Sequence, residues 1–282
     1  MLRMYILLGF TFLFFHLYIT GEISKYINMR YSYLSFSAIF VFALLTIVQF
    51  IFASRKEEHV HCDDDECCHH HHEEQARWKR VLNYMVFIFP IVSALLFPVA
   101  TLDSEMVKAK GFHIPKLAAD SGDPFVQRQF LRPDTSIYYG KDDYDDLMQK
   151  ELKKYGKASH LTLDDQNYLN VMETIYQFPG QFDDRDIEFD GFVYHDETTK
   201  DNQVFVLRFG IIHCVADSGV YGLLTEFPQQ ARLKNDEWIH VKGTLSTVYY
   251  QPFHTNIPYV KVTSWQRISE PKEPYVFRQY NQ

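Results

Sequence analysis

Apolar positions crowd the first hundred residues of the chain and then thin into shorter, alternating patterns. Three runs stand out: Tyr5–Ile19, Tyr31–Ser54 and Val81–Leu102. A helix rises about 1.5 Å per residue, so the second run is long enough to cross about 30 Å of hydrocarbon. The first is short for a span but extends in both directions, with Arg3 ahead of it and His16 inside it. A signal peptide shares the basic start and short apolar core. No small-x-small cleavage site follows, which favours an anchor. The third run holds Pro90 and Pro98, which membrane helices tolerate when a kink or a neighbour satisfies the freed carbonyls. Three transmembrane helices are expected within residues 1–102, with a loop over 55–80.

Orientation follows from the basic residues, because cytoplasmic loops retain Lys and Arg. Arg55, Lys56, Arg77, Lys79 and Arg80 flank the second loop, Arg3 sits at the N-terminus, and the first loop has Lys25 and Arg30 alone. An odd number of spans then places the C-terminal domain outside the cytoplasm.

Beyond the spans the periodicity changes. Asp103–Lys141 is polar, broken by Pro115, Pro124 and Pro133, and reads as an extended connector. Two helices are predicted, Asp143–Tyr155 and Asp164–Phe178; in the second, Tyr168, Val171, Met172, Ile175 and Tyr176 recur at helical spacing. Thr162 offers a cap and Pro179-Gly180 a stop. Asp164 and Asp165 read as helix-start charge on a solvated surface.

From Ile187 the pattern becomes β. Strands are predicted over Ile187–His195, Val204–Cys214, Val220–Phe227, Trp238–Leu245 and Tyr259–Ile268. Five strands with a short excursion between the third and fourth is the order of an OB-type barrel. Gly191 and Gly243 fall where a coiled barrel strand must bend. The expected fold is an α+β membrane protein with three N-terminal transmembrane helices, a helical linker region (103–185), a C-terminal five-stranded OB-like β-barrel (186–270) and a tail (271–282).

A formal net charge of −8 argues against a nucleic-acid partner, which calls for a basic face. Cys62, Cys67 and Cys68 are close together and Cys214 is far away, so there is no disulfide framework. The second loop carries His59, His61, Cys62, Cys67, Cys68, His69, His70, His71 and His72 among acidic residues. Imidazole and thiolate suit Zn²⁺ and other borderline-soft transition-metal ions. Without paired Cys-x-x-Cys or His-x-x-x-His arms, the loop reads as a labile multi-ligand binder. The bland alternative is a solvated low-complexity segment that binds metal as any His-rich peptide does.

A second candidate site lies at the end of one predicted strand and in the turn after it, at His213, Cys214 and Asp217. Thiolate, imidazole and carboxylate this close can share one metal. Adjacent strand residues point to opposite faces, so that sharing needs a bulge. The competing reading buries Cys214 as a small hydrophobe and has Asp217 hold a turn. Arg208 either pairs with Asp217 or lies on the outer barrel face.

The phrases Gly191-Phe192-Val193-Tyr194, Arg208-Phe209 through Cys214-Val215-Ala216-Asp217, Val220-Tyr221-Gly222-Leu223 and Trp238 through Leu245 resemble the YcgQ-like family of bacterial membrane proteins. The resemblance is sharpest over 190–268. It implies a membrane location and a permease partner. The family pattern has two adjacent cysteines before Ala-Asp where this chain has His213-Cys214, which keeps a soft-donor pair and speaks against a dithiol role.

No G-x-S-x-G elbow, phosphate-cradling glycine loop or H-E-x-x-H pair occurs, and an enzymatic reading would rest on Cys214 alone. The expected function is a non-enzymatic accessory subunit of a multi-span plasma-membrane permease for transition-metal ions. Its spans dock on the transporting subunit in the bilayer. The alternative is a membrane-anchored metal-sensing or metal-storage protein with an extracytoplasmic ligand-binding barrel and no permease. Deleting residues 59–74 separates the two.

Overall fold

The computed structural model describes residues 2–55, 77–97, 102–110, 141–196, 199–229, 231–251 and 255–279. The whole His59–His72 cluster lies outside them. The chain divides into two compact units, Met1–Thr101 and Leu102–Gln282.

In the first unit, α1 (Leu2–Thr20), α2 (Ser32–Arg55) and α3 (Arg77–Leu96) are the apolar runs in helical form. Gly21, at φ 76°, ends α1 in the left-handed region that glycine enters without strain. Asn28 then accepts a hydrogen bond from the Arg30 N–H and caps the short turn Met29–Tyr31 that leads into α2. Phe10 and Phe14 stack on Phe42, at 5.6 and 5.9 Å between ring centres. The Tyr18 hydroxyl donates to the Ser32 carbonyl. Among the described residues, two helices are long and apolar enough to cross a membrane, Leu2–Thr20 and Met29–Ser54; the apolar part of α3, Val81–Leu96, is shorter.

The second unit opens with a departure from the expected connector, a short helix α4 (Ser104–Lys110). Its start is capped locally by Asp103, which accepts from the Met106 N–H at 3.2 Å. Asp236, 132 residues on, accepts from both the N–H and the hydroxyl of Ser104, at 2.8 and 2.6 Å. No local pattern announces that partner. The predicted helices are present as α5 (Lys141–Tyr155) and α6 (Tyr168–Gln177). Asp164, rather than Thr162, caps the turn before α6, accepting from Gln166 and Asn167 at 2.9 Å. Thr162 is in a strand, β1 (His160–Thr162), and donates to Glu188.

The strands that follow are β2 (Asp186–Tyr194), β3 (Gln203–Ile211), β4 (Gly219–Glu226), β5 (Trp238–Tyr250), β6 (Thr255–Arg267) and β7 (Val276–Phe277). They form one seven-stranded sheet in the order β1-β2-β5-β6-β4-β3-β7, and β2 also pairs with β3. The five long strands match the five predicted. β1 and β7 were not predicted; each is a two- or three-residue parallel addition, to β2 and β3 respectively, too short to show a period. Gly191 and Gly243 serve close approach: a Cβ at Gly191 would sit 2.8 Å from the Leu207 carbonyl, and one at Gly243 would run into the Lys261 carbonyl. The β5–β6 register shifts between Lys242 and Gly243.

One core gathers both sides of the sheet and α6, whose residues from Tyr168 to Tyr176 are all buried. It takes Val107 and Met172 from the range 103–185 and Tyr275 and Val276 from 271–282, as well as the strands. Tyr176 ties α6 to β4, with its hydroxyl accepting from the Gly222 N–H at 2.7 Å and donating to the Gly222 carbonyl at 2.5 Å. Burial raises the Tyr176 and Tyr168 hydroxyls above their ordinary pKa, so both stay neutral donors.

Candidate functional site

The turn from β3 to β4 is built on one carboxylate. After Ile211 the chain passes through an extended Cys214 into a single 3₁₀ turn, Val215–Asp217. Asp217 accepts from the His213 N–H at 3.0 Å, from the Cys214 N–H at 2.9 Å and from His213 Nδ1 at 2.8 Å. It therefore works as a cap that satisfies donors the turn would leave open. The same carboxylate that builds the turn thus also orients the His213 ring. Cys214 is a half-buried free thiol beside it. Among the described residues, no group of three or more His, Cys, Asp and Glu side chains is arranged to hold a metal ion.

Arg208 takes neither place the sequence suggested for it. It is 2% exposed and donates to Asp165 at 2.6 Å and to the Glu273 and Pro274 carbonyls at 2.9 and 3.3 Å. Its guanidinium lies over the rings of Tyr168 and Trp238, at 5.4 and 5.7 Å. Asp217 is occupied by its own turn. Asp165, read as surface charge, is what Arg208 meets, because the turn before α6 brings it to β3.

A buried polar centre joins α5, α6 and the C-terminal segment, and sequence reasoning missed it. Glu173 and Arg278 form an ion pair with both side chains almost wholly enclosed. The Tyr144 hydroxyl donates to Glu173 at 3.0 Å. Asn170 donates to Glu151 at 3.2 Å and to the Gln279 carbonyl at 3.0 Å. In the sequence these look like the polar side of two amphipathic helices. Their burial depends on the C-terminal segment returning to cover them.

A third group lies on the β1-β2-β5 face, where Thr162, Glu188 and Lys242 are register neighbours, as are Asp190 and His240. Glu188 pairs with Lys242, accepts from Thr162 at 2.9 Å, and has His160 Nε2 at 3.4 Å and His240 Nε2 at 3.9 Å. Asp190 accepts from His240 Nδ1 at 2.5 Å. Lys242 foremost, then Thr162, hold the Glu188 carboxyl down at about 2. Alternating polar positions on two predicted strands were the available signal for this face.

Comparison with known proteins bears out the resemblance over the whole chain. Residues 2–113 match the DUF1980 N-terminal domain and residues 138–278 the DUF1980 C-terminal domain. UPF0703 protein YcgQ of Bacillus subtilis is 52% identical over 285 residues, covering 99% of each chain. A Streptococcus mutans protein named "Putative two-component membrane permease complex subunit" is 37% identical over 283 residues, again covering 99% of each. Identity at this level over both units, and not in the β domain alone, shows that the chain belongs to the YcgQ-like family, with both of its DUF1980 domains.

Proposed function

We propose that this chain is an accessory, non-enzymatic subunit of a plasma-membrane permease for transition-metal ions. The observation that carries the reading is the full-length identity to the Streptococcus mutans permease-complex protein, in a chain whose described residues include two helices apolar enough to span a bilayer. In this reading α3, with Pro90 inside it, is a third span, and residues 102–279 lie outside the cytoplasm, as the basic residues around the second loop favour.

The outer domain works as an OB-type barrel. Five long strands whose pairing runs β2, β5, β6, β4, β3 and returns to β2 support this. α6 packs against β4, so solute meets the barrel at its loops. On the cytoplasmic side, the His59–His72 loop gathers the ion, since its thiolates and imidazoles are a soft-donor set that zinc and its neighbours favour.

Gentle detergent extraction of the full chain from its own membranes tests the reading. A multi-span permease should co-purify in constant ratio; clean isolation as a lone monomer would sink it. The density of soft donors in the loop also favours a second reading, metal sensing or storage with no permease. Deleting residues 59–74 decides between them: a transport phenotype that survives the deletion supports the permease subunit, and complete loss supports the metal protein.

A further inference from the structure

α1 uses most of its circumference inside its own unit. Phe10, Phe14 and Tyr18 face α2, and Leu13 and Leu17 are buried. A Cβ on Gly9 would lie 3.0 Å from Ile91 of α3, so the two helices approach closely there. One seam remains. Tyr5, Leu8, Phe12, Phe15 and Ile19 are between 51% and 69% exposed, and their 3-4-3-4 spacing sets them in one line along the helix. This is the a/d period by which two helices interlock.

His16 lies along the edge of that line. Its ring stacks on Phe12 at 6.1 Å, and although the His16 carbonyl accepts from the Thr20 hydroxyl, no hydrogen bond or ion pair of the ring nitrogens is found among the described residues. Lipid tails cover Phe and Ile well but offer an imidazole nothing. Ionisable side chains in membrane helices accordingly face other protein or water-filled cavities and pair there. α2 differs: its exposed apolar residues spread round most of the helix, and no His, Asp, Glu or Lys occurs in it, as suits a lipid-covered surface.

We propose that the Tyr5–Ile19 seam of α1 is a docking surface for a transmembrane helix of the permease, with a carboxylate or other hydrogen-bonding side chain set opposite His16. The proposal rests on the reading of this chain as a permease subunit and names the face by which it binds.

Photo-crosslinking in native membranes tests it, with p-benzoylphenylalanine replacing Phe12 or Phe15, and Phe40 of α2 as the comparison position, in the full chain. The Phe12 and Phe15 probes should trap the same multi-span protein that co-purifies with the unmodified chain, and the Phe40 probe should not. His16→Leu should lower the co-purified permease about threefold to tenfold, the range of interhelical polar contacts, and His16→Gln by less. Lipid adducts alone at Phe12 and Phe15, with the permease still co-purifying, would overturn the seam and leave the permease reading intact. A trapped second copy of this chain would overturn the seam in favour of self-association. Absence of any co-purifying permease with the unmodified chain would overturn the underlying reading instead.

Discussion

At Asp217 a single side chain holds the backbone N–H groups of His213 and Cys214, and its loss should be felt there first. Asp217→Ala removes an acceptor used by His213 and Cys214 and should cost about 1–2 kcal/mol, the range for a lost cap. Thermal melts of the full chain in detergent would show it, together with faster reaction of Cys214 with a thiol reagent. An unchanged labelling rate would mean the turn holds without its cap. Glu188 makes a pH prediction. Its carboxyl sits at about 2 in the folded chain against an ordinary 4.5, so as pH falls the unfolded chain takes up that proton first. The stabilisation is complete above about pH 4.5 and is lost on going down toward 2. Because the Lys242 partner is half exposed, solvent limits the effect to no more than about 1 kcal/mol. Glu188→Gln should flatten this part of the stability–pH curve; an unaltered slope would refute the pairing.

At the scale of elements, the C-terminal segment and α6 are bound through polar groups that the core has closed over. Glu173→Gln should cost about 3 kcal/mol, because Arg278 would keep its charge in a buried site without the opposing carboxylate. The double variant Glu173→Leu with Arg278→Met should cost clearly less than the two single losses added together, and strict additivity in denaturant melts would show the pair to be uncoupled. Tyr176→Phe should cost about 1–3 kcal/mol for leaving the Gly222 N–H and carbonyl buried without their partner. Hydrogen exchange at Gly222 would then rise ahead of the rest of β4.

For the whole molecule, the decisive quantity is the side of the bilayer on which each unit lies. A membrane-impermeant thiol reagent on intact cells reads it directly. Asp201→Cys is the better reporter in the β2–β3 turn, since Asp201 is exposed whereas Asn202 is half-buried and hydrogen-bonded to Phe227. In variants with one reporter each, Asp201→Cys should label in intact cells, and Cys62, Cys67 and Cys68 should react after the cells are opened. The reverse pattern would put the loop outside and make capture of external metal its role.

The chain's local patterns alone determined the apolar helices, the two amphipathic helices and the five long strands in order, because each is a periodicity carried by neighbouring residues. The same patterns placed His213, Cys214 and Asp217 at one turn, since all three lie within five positions. Tertiary structure decided what those groups do. Arg208 meets Asp165 across 43 residues, Glu173 meets Arg278 across 105, and Ser104 meets Asp236 across 132. No period links such positions, and the short strands β1 and β7 form only because β2 and β3 are already there to pair with them. Contacts of that separation exist after the chain has folded back on itself, so they are properties of the packed domain and not of any stretch within it.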